Sequence, residues 1–226
     1  MSFVAPEQAD GSLVLALHSS SAVLGVGLAQ GQVGQNQVGE TIAVSRLSRA
    51  FPLDRALSNH LFTAVEEVCP ADQWPRITRL AVAIGPGGFT GTRLTVVMAR
   101  TLAQQLGVPL DGVCSGLLIA RRLQIQEPTW LVQELPRRGV VAGCYGPDVS
   151  AWGGVIELEA ARLYGSGLDL PPGPQLPAQP ELPGDVDQLL DMACLAAAEG
   201  RPGPWQPVLP IYPTSPVHPT SSVAQQ

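Results

Sequence analysis

Lysine is absent from this chain, and all 13 basic residues are arginine. Arginine enters an interface at a smaller loss than lysine does, although a GC-rich coding bias accounts for the choice as well. Charge is scarce, at 14% of residues against 45% hydrophobic, which fits a folded protein part of whose surface is covered by something else. There is no basic surplus. Residues 1–140 carry 11 Arg against 10 acids, and residues 141–226 carry 2 Arg against 9 acids. That excludes a stand-alone nucleic-acid binder, so any role in RNA chemistry is indirect. Cysteine is sparse too: Cys69, Cys114, Cys144 and Cys194 show no Cys-x-x-Cys spacing. This excludes a zinc ribbon, and a chain this large without a secretory signal argues against a disulfide framework. His18, His60 and His218 lie too far apart in sequence to form a metal-binding pair. No apolar run approaches the ~20 residues that span a bilayer. Met1 to Gly11 is polar and acidic, neither signal nor transit peptide. The expectation is a soluble, cytoplasmic protein.

The catalytic inventory is thin as well. No Gly-x-Ser-x-Gly elbow occurs. Cys114 sits near a strand end without an electropositive neighbour. Glu66 and Glu67 are adjacent on an amphipathic helix and read as solvated charge.

What is present is an α/β pattern. Leu13–Leu17 and Gly25–Ala29 are short apolar runs around Ser19-Ser20-Ser21 and read as a hairpin. A Gln/Gly-rich tip follows over Gly31–Gly39, and Thr41–Val44 is the expected third strand. Pro52 suits a first helical turn. Leu53, Leu57, Leu61, Val65 and Val68 then form an apolar helical stripe. Leu80–Ile84 is a buried-type strand, and Thr92–Leu106 a helix apolar on several sides, through Leu94, Val97 and Leu102 and through Val96, Met98 and Leu106. A second covering surface is therefore needed, and either a partner protein or an intrachain helix supplies it. Leu110–Val113 and Ser115–Leu123 add a strand and a helix, giving a mixed sheet with helices laid against it. Thr129–Glu134, Gly139–Tyr145 and Trp152–Leu158 are the strands expected of a second region. Gly165–Gly184 is proline-rich loop, Asp185 is the expected cap of a helix through Ala198 ended by Gly200, and a proline-rich tail begins at Pro202.

The most informative stretch joins strand to helix: Gly85-Pro86-Gly87-Gly88-Phe89-Thr90-Gly91-Thr92-Arg93. Its glycines permit positive φ or close approach, and Thr90 is the expected N-cap. A turn aiming free N–H groups along a helix start can hold a phosphate. This one lacks the Gly-Lys-Ser/Thr ending of a nucleotide loop, so a structural turn is the leading reading and nucleotide binding the alternative.

Leu13–Leu28 together with Gly85–Arg93 resembles the TsaB (YeaZ) family, dimerization subunits of the bacterial tRNA threonylcarbamoyladenosine (t6A) machinery. Arg137–Tyr145 is similar to the family's Arg-x-Gly-Glu-Val-Tyr strand, and Pro210–Val217 to a degraded form of its Pro-x-Tyr-Leu-Arg ending. The resemblance implies an actin-like (ASKHA, ribonuclease-H-like) two-lobed α/β fold of mixed sheets flanked by helices. Residues 1–124 would form the first lobe and 125–226 a smaller, degenerate second lobe. It also implies a non-catalytic subunit without cofactor or metal, which heterodimerizes with its paralogue TsaD, helps recruit the ATPase TsaE, touches tRNA indirectly, and homodimerizes when alone. The partner helices correspond to residues 53–68 and 92–106, with Leu53, Leu57, His60, Leu61, Leu94, Val97, Met98 and Thr101 as interface candidates. Departures exist. His18 stands where actin-like enzymes carry Asp, residues 114–134 lack the catalytic paralogue's His-x-x-x-His pair, and Leu135-Pro136-Arg137 replaces Asp-Ala-Arg. An ATP-binding or phosphotransferase-type actin-like enzyme, and a diverged relative outside the pathway, are the alternatives.

Overall fold

The computed structural model describes residues 11–31, 45–136, 138–165 and 170–213. Its elements run β1 (Leu13–His18), β2 (Leu24–Gln30), β3 (Ser45–Phe51), α1 (Leu57–Val68), β4 (Ile77–Ala83), α2 (Phe89–Leu106), β5 (Leu110–Val113) and α3 (Ser115–Arg122). They continue with β6 (Thr129–Leu135), β7 (Gly139–Pro147), β8 (Val155–Tyr164), β9 (Gln175–Pro177) and α4 (Gly184–Ala198).

The first sheet has the order β3-β2-β1-β4-β5. β1 is antiparallel to β2 and parallel to β4, and β4 is parallel to β5. Every residue of β1 is buried because the sheet is covered on both faces. Alternation sends Leu13, Leu15 and Leu17 into a cluster with Leu57, Leu61, Val96 and Met98 of α1 and α2. Val14 and Ala16 pack on the other side against Val186, Leu189 and Leu190 of α4. Each leucine so buried contributes on the order of 1.5–3 kcal/mol. Arg79 of β4 and Asp111 of β5 form a buried bidentate pair at 2.6 and 2.8 Å, and a third guanidinium N–H reaches the Arg201 carbonyl at 2.9 Å. These contacts fix the chain just past α4 to the sheet.

The second sheet has the order β8-β7-β6-β9. Tyr145 of β7 faces α3 in a cluster with Cys114, Ile119 and Leu131. Trp130 and Tyr164 pack edge-on across the opposite face, 6.2 Å between centroids. The chain then returns. α4 lies on the first sheet, and residues 203–212 run across its β5 side: Leu110 donates to the Gly203 carbonyl at 2.8 Å, and Ile211 to the Ile84 carbonyl at 2.7 Å.

Several boundaries differ from the sequence reading. Thr41–Val44 lies outside the described residues, and the third strand is Ser45–Phe51. Pro52 precedes the helix instead of sitting in its first turn: a 3-10 turn over Asp54–Ala56 comes first, with Asp54 at φ 40°. Trp152–Gly154 is a turn, with Gly153 and Gly154 at positive φ, so the strand is displaced to Val155–Tyr164. The proline-rich loop contains a strand. β9 pairs parallel with β6, and Pro174 and Val132 serve as carbonyl acceptors at its two ends, so proline's missing N–H is not needed there. Asp185 is not the N-cap of α4, which is Pro183. It is buried at the first turn, receives the Glu181 N–H at 2.7 Å, and pairs with Arg122 at 2.7 Å.

Candidate functional site

The signature turn wraps around the hairpin end of β1 and β2. Gly85 has φ +94°, a region side chains resist, and its carbonyl accepts the Ser115 N–H at 2.7 Å. A Cβ on Gly87 would collide with Ser20, and the Gly88 N–H donates to the Ser20 carbonyl at 2.9 Å. A Cβ on Gly91 would stand 2.8 Å from the Ser19 carbonyl and 3.4 Å from Leu57 Cδ2. The glycines thus let a helix start, the Ser19–Ser20 backbone and α1 approach one another. Thr90 is not the N-cap. Gly88 is, because α2 begins at Phe89 and the Thr92 N–H already closes the first turn on the Gly88 carbonyl.

Polar groups bury themselves beneath this turn. Ser19 and Thr95 hydroxyls lie 2.7 Å apart, and Ser20 and Ser115 hydroxyls 2.6 Å apart. His18 is fully buried; its Nδ1 accepts the Ser20 N–H at 3.5 Å, and its Nε2 has no partner. Burial lowers its pKa to about 4, so the imidazole is neutral at physiological pH. Among the described residues, no group of three His, Cys, Asp or Glu side chains is placed to hold a metal ion.

Two spaces adjoin the turn. The space between the two sheets, bordered by Ser20, Pro86, Ser115, Gly116, Tyr145 and Pro180, amounts to about 20 Å³, room for about one water. Tyr145 fills it: a Cβ on Gly116 would overlap its hydroxyl, which sits 3.4 Å from Cys114 Sγ. Burial raises the Tyr145 pKa, and it pushes the Cys114 thiol up to about 11, so neither is ionised at neutral pH. The second space is an open cleft of about 590 Å³ at the N-terminal ends of α1 and α2, lined by Ser20, Ser21, Arg55, Ser58, Gly88 and Phe89 among others.

The outer side of α1 and α2 is apolar in part. Phe62 is 57% exposed, Val97 55% and Phe89 45%. Of the residues expected to face a partner, Val97, His60 and Thr101 point outward and Leu53 and Leu94 are half-buried. Leu57, Leu61 and Met98 face inward and belong to the core. Sequence reading passed over Phe62, which lies off the periodic stripe beside Leu61. It also passed over Tyr212, whose ring stacks on Phe89 at 4.7 Å, and Trp205, which lies 5.5 Å under the Arg100 guanidinium. Only the amphipathic phase of α1, read for what lies outside the stripe, could have signalled Phe62.

Comparison with known proteins gives a consistent set of likenesses. Residues 54–140 match the family model TsaD, described as tRNA N6-adenosine threonylcarbamoyltransferase. The Bacillus subtilis (strain 168) protein described as tRNA threonylcarbamoyladenosine biosynthesis protein TsaB is 29% identical over 102 residues, 45% of this chain and 41% of that protein. The chain thus spans less than half the length of that relative. Two solved Pseudomonas aeruginosa structures share the fold. One, a protein with similarity to peptidase YeaZ, aligns with a TM-score of 0.64 at 19% identity, over 90% of this chain and 100% of that one. The other, YeaZ, has a TM-score of 0.60 at 21% identity, over 89% and 99%. The architecture is the actin-like α/β fold of mixed sheets flanked by helices.

Proposed function

We propose that this chain, a member of the TsaB/YeaZ family, is a non-catalytic subunit of the t6A-forming machinery that pairs with the TsaD paralogue through the outer side of α1 and α2. The observation that carries this is the contrast between the space between the sheets and the outer side of the helices. The space between the sheets is about 20 Å³ and filled by Tyr145, too little for a substrate. The helix face presents Phe62, Phe89 and Val97 to solvent, exposed apolar side chains of the kind that interfaces cover. The match of residues 54–140 to the TsaD model supports a partner built on a similar helix pair. In this reading catalysis resides in TsaD, the small ATPase TsaE joins the pair, and the chain, at a net charge of −6, meets tRNA only through its partner. No described helix is long and apolar enough to cross a membrane.

The test is co-purification with TsaD of the same organism, with the mass of the complex read by light scattering. A one-to-one complex is expected, lost in Phe62→Asp plus Val97→Asp while the melting temperature stays put. A chain that ignores TsaD, or a double variant that still binds it, sinks the proposal. Leu57 is unsuitable for this purpose because it is buried in the core.

An ATP-binding role has one observation in its favour, the open cleft of about 590 Å³ at the start of α2. Calorimetry decides it: tight Mg–ATP binding by the isolated chain would move the function to that cleft.

A further inference from the structure

The chain passes between the two sheets twice. Residues 123–128 lead from α3 to β6, and residues 178–183 lead from β9 to α4. Two such crossings with no further tie form a hinge line about which one sheet can swing, because a few loop residues absorb the change in dihedral angles. Arg122, the last residue of α3, ties one crossing to the other. Its Nε donates to Asp185 Oδ1 at 2.7 Å, its Nη2 donates to the Gln179 carbonyl at 2.9 Å, and its Nη1 lies 3.1 Å from Glu181 Oε2. A guanidinium holds its donors in one rigid plane, so it sets these three acceptors relative to one another, as an ammonium does not. Asp185 uses its other oxygen to accept the Glu181 N–H at 2.7 Å.

A second tie lies further along α4. Trp152, in the turn between β7 and β8, donates its indole N–H to the Met192 carbonyl at 3.0 Å. Asp185 and Met192 are about 10 Å apart along the helix axis at 1.5 Å per residue. At the contact itself the Tyr145 ring occupies a socket of two glycines. A Cβ on Gly116 would collide with its hydroxyl, and one on Gly143 would stand 2.9 Å from it. The cores on either side are separate. The buried members of the two clusters around the first sheet include no residue of β6–β9, and Trp130, Ala142, Cys144 and Tyr164 form their own cluster on the far face of the second sheet. Parting the sheets would therefore open mainly the cluster of Cys114, Ile119, Leu131 and Tyr145.

We propose that Arg122 is a hinge pin: it locks the two crossings together and keeps the second sheet closed on α3, and without it the sheets part at Tyr145 while each stays folded. The pin acts whether or not α1 and α2 meet a partner. The Asp185 side chain is fully buried and that of Arg122 is 16% exposed. An ion pair so buried adds little net stability over an apolar pair of the same volume, because desolvation offsets the attraction. What it adds here is one fixed arrangement of two segments that are remote in sequence.

The experiment is alkylation of the full chain by N-ethylmaleimide under native conditions, with the rate at each cysteine read by mass spectrometry. Cys114 and Cys144 are alike in shielding, 7% and 6% exposed. Cys114 lies at the contact between the sheets, Cys144 on the far face of the second sheet, and Cys69 in the core of the first. The variant Arg122→Met plus Asp185→Asn removes the pin and leaves no unpaired buried charge. In it Cys114 should react tenfold or more faster than in the parent, while Cys69 and Cys144 keep the parent's rates. Arg122→Lys keeps a cation for Asp185 and loses the fork, so a selective rise of severalfold at Cys114 is expected. A rise of similar size at Cys69 or Cys144 would make Arg122 a general support of the fold and overturn the pin. An unchanged rate at Cys114 would overturn it too, since Trp152 and Tyr145 would then hold the sheets by themselves. If the double variant does not fold, Arg122→Lys decides by the same criteria.

Discussion

Two helical coverings lie on the first sheet, and they end differently. α4 buries Val186, Leu189, Leu190, Met192, Ala193 and Ala196 against β1 and β2. Much of its remaining surface is tied to the chain itself: Arg122 holds Asp185, Arg46 pairs with Asp191, and Arg121 donates to the Gln188 carbonyl at 3.0 Å, which leaves Leu195, 44% exposed, as its exposed large apolar side chain. α2 buries a comparable stripe through Thr92, Val96, Met98, Ala99 and Ala103, but its outer side shows Val97, Arg93 and Thr101 to solvent. The same sheet thus carries one helical layer that the fold has finished using and one that it has not. Burial against the sheet is alike in the two helices; what covers the far side of each differs.

The largest effect should fall on the finished side. Leu189→Ala removes a fully buried side chain between α4 and the sheet, and a loss of about 2–5 kcal/mol is expected in urea unfolding. A loss below 1 kcal/mol would mean that α4 is loosely docked and that the contrast with α2 has been overdrawn.

His18, at the end of β1, offers a pH handle in the same sheet. Its folded pKa is about 4 against 6.5 for the free side chain, so the unfolded chain binds the proton more readily. Stability from this group is complete above pH 6.5 and is lost as pH falls through 4, about 3 kcal/mol in all. Unfolding of the parent at pH 7 and pH 4.5, compared with His18→Gln, should show a steeper decline in the parent. Equal slopes would show that the buried imidazole is not the titrating group.

A smaller change is expected at the contact between the sheets. Tyr145→Phe keeps the ring that fills the space beside Gly116 and removes only the hydroxyl near Cys114 Sγ. The expected cost is about 0.5–1.5 kcal/mol, with no gain of nucleotide binding. A variant that unfolds outright would mean that the hydroxyl, more than the ring, joins the two sheets.

The sequence made the finished side easier to read than the other. Leu13–Leu17 and Leu80–Ile84 are continuous apolar runs because both faces of β1 and β4 are covered, and both are strands. The Gly85–Arg93 turn was legible because close approach to Ser19 and Ser20 admits only glycine at Gly87 and strains any other residue at Gly91. Periodicity picked out the inner side of α1 and not its outer side for a physical reason. The stripe Leu57, Leu61, Val65 and Val68 marks what a helix buries in its own core, whereas a partner on the proposed face would meet what the stripe leaves out, such as Phe62. The C-terminal run over residues 203–212 was harder still. Pro202 to Pro213 has the composition of a loop, and its ordered course depends on Leu110, Ile84, Arg100 and Phe89, all remote in sequence.

Val97→Ala carries the smallest stability effect and separates the two coverings most cleanly. Val97 is 55% exposed, so truncation removes little buried area, and alanine is the better helix former. The change in unfolding free energy should lie within about 0.5 kcal/mol of zero. Affinity for TsaD should nevertheless drop severalfold, since the same methyl groups would lie at the centre of the contact. A variant that loses stability and keeps its partner would show the reverse, that the outer side of α2 is already covered and the surface that meets TsaD lies elsewhere on the chain.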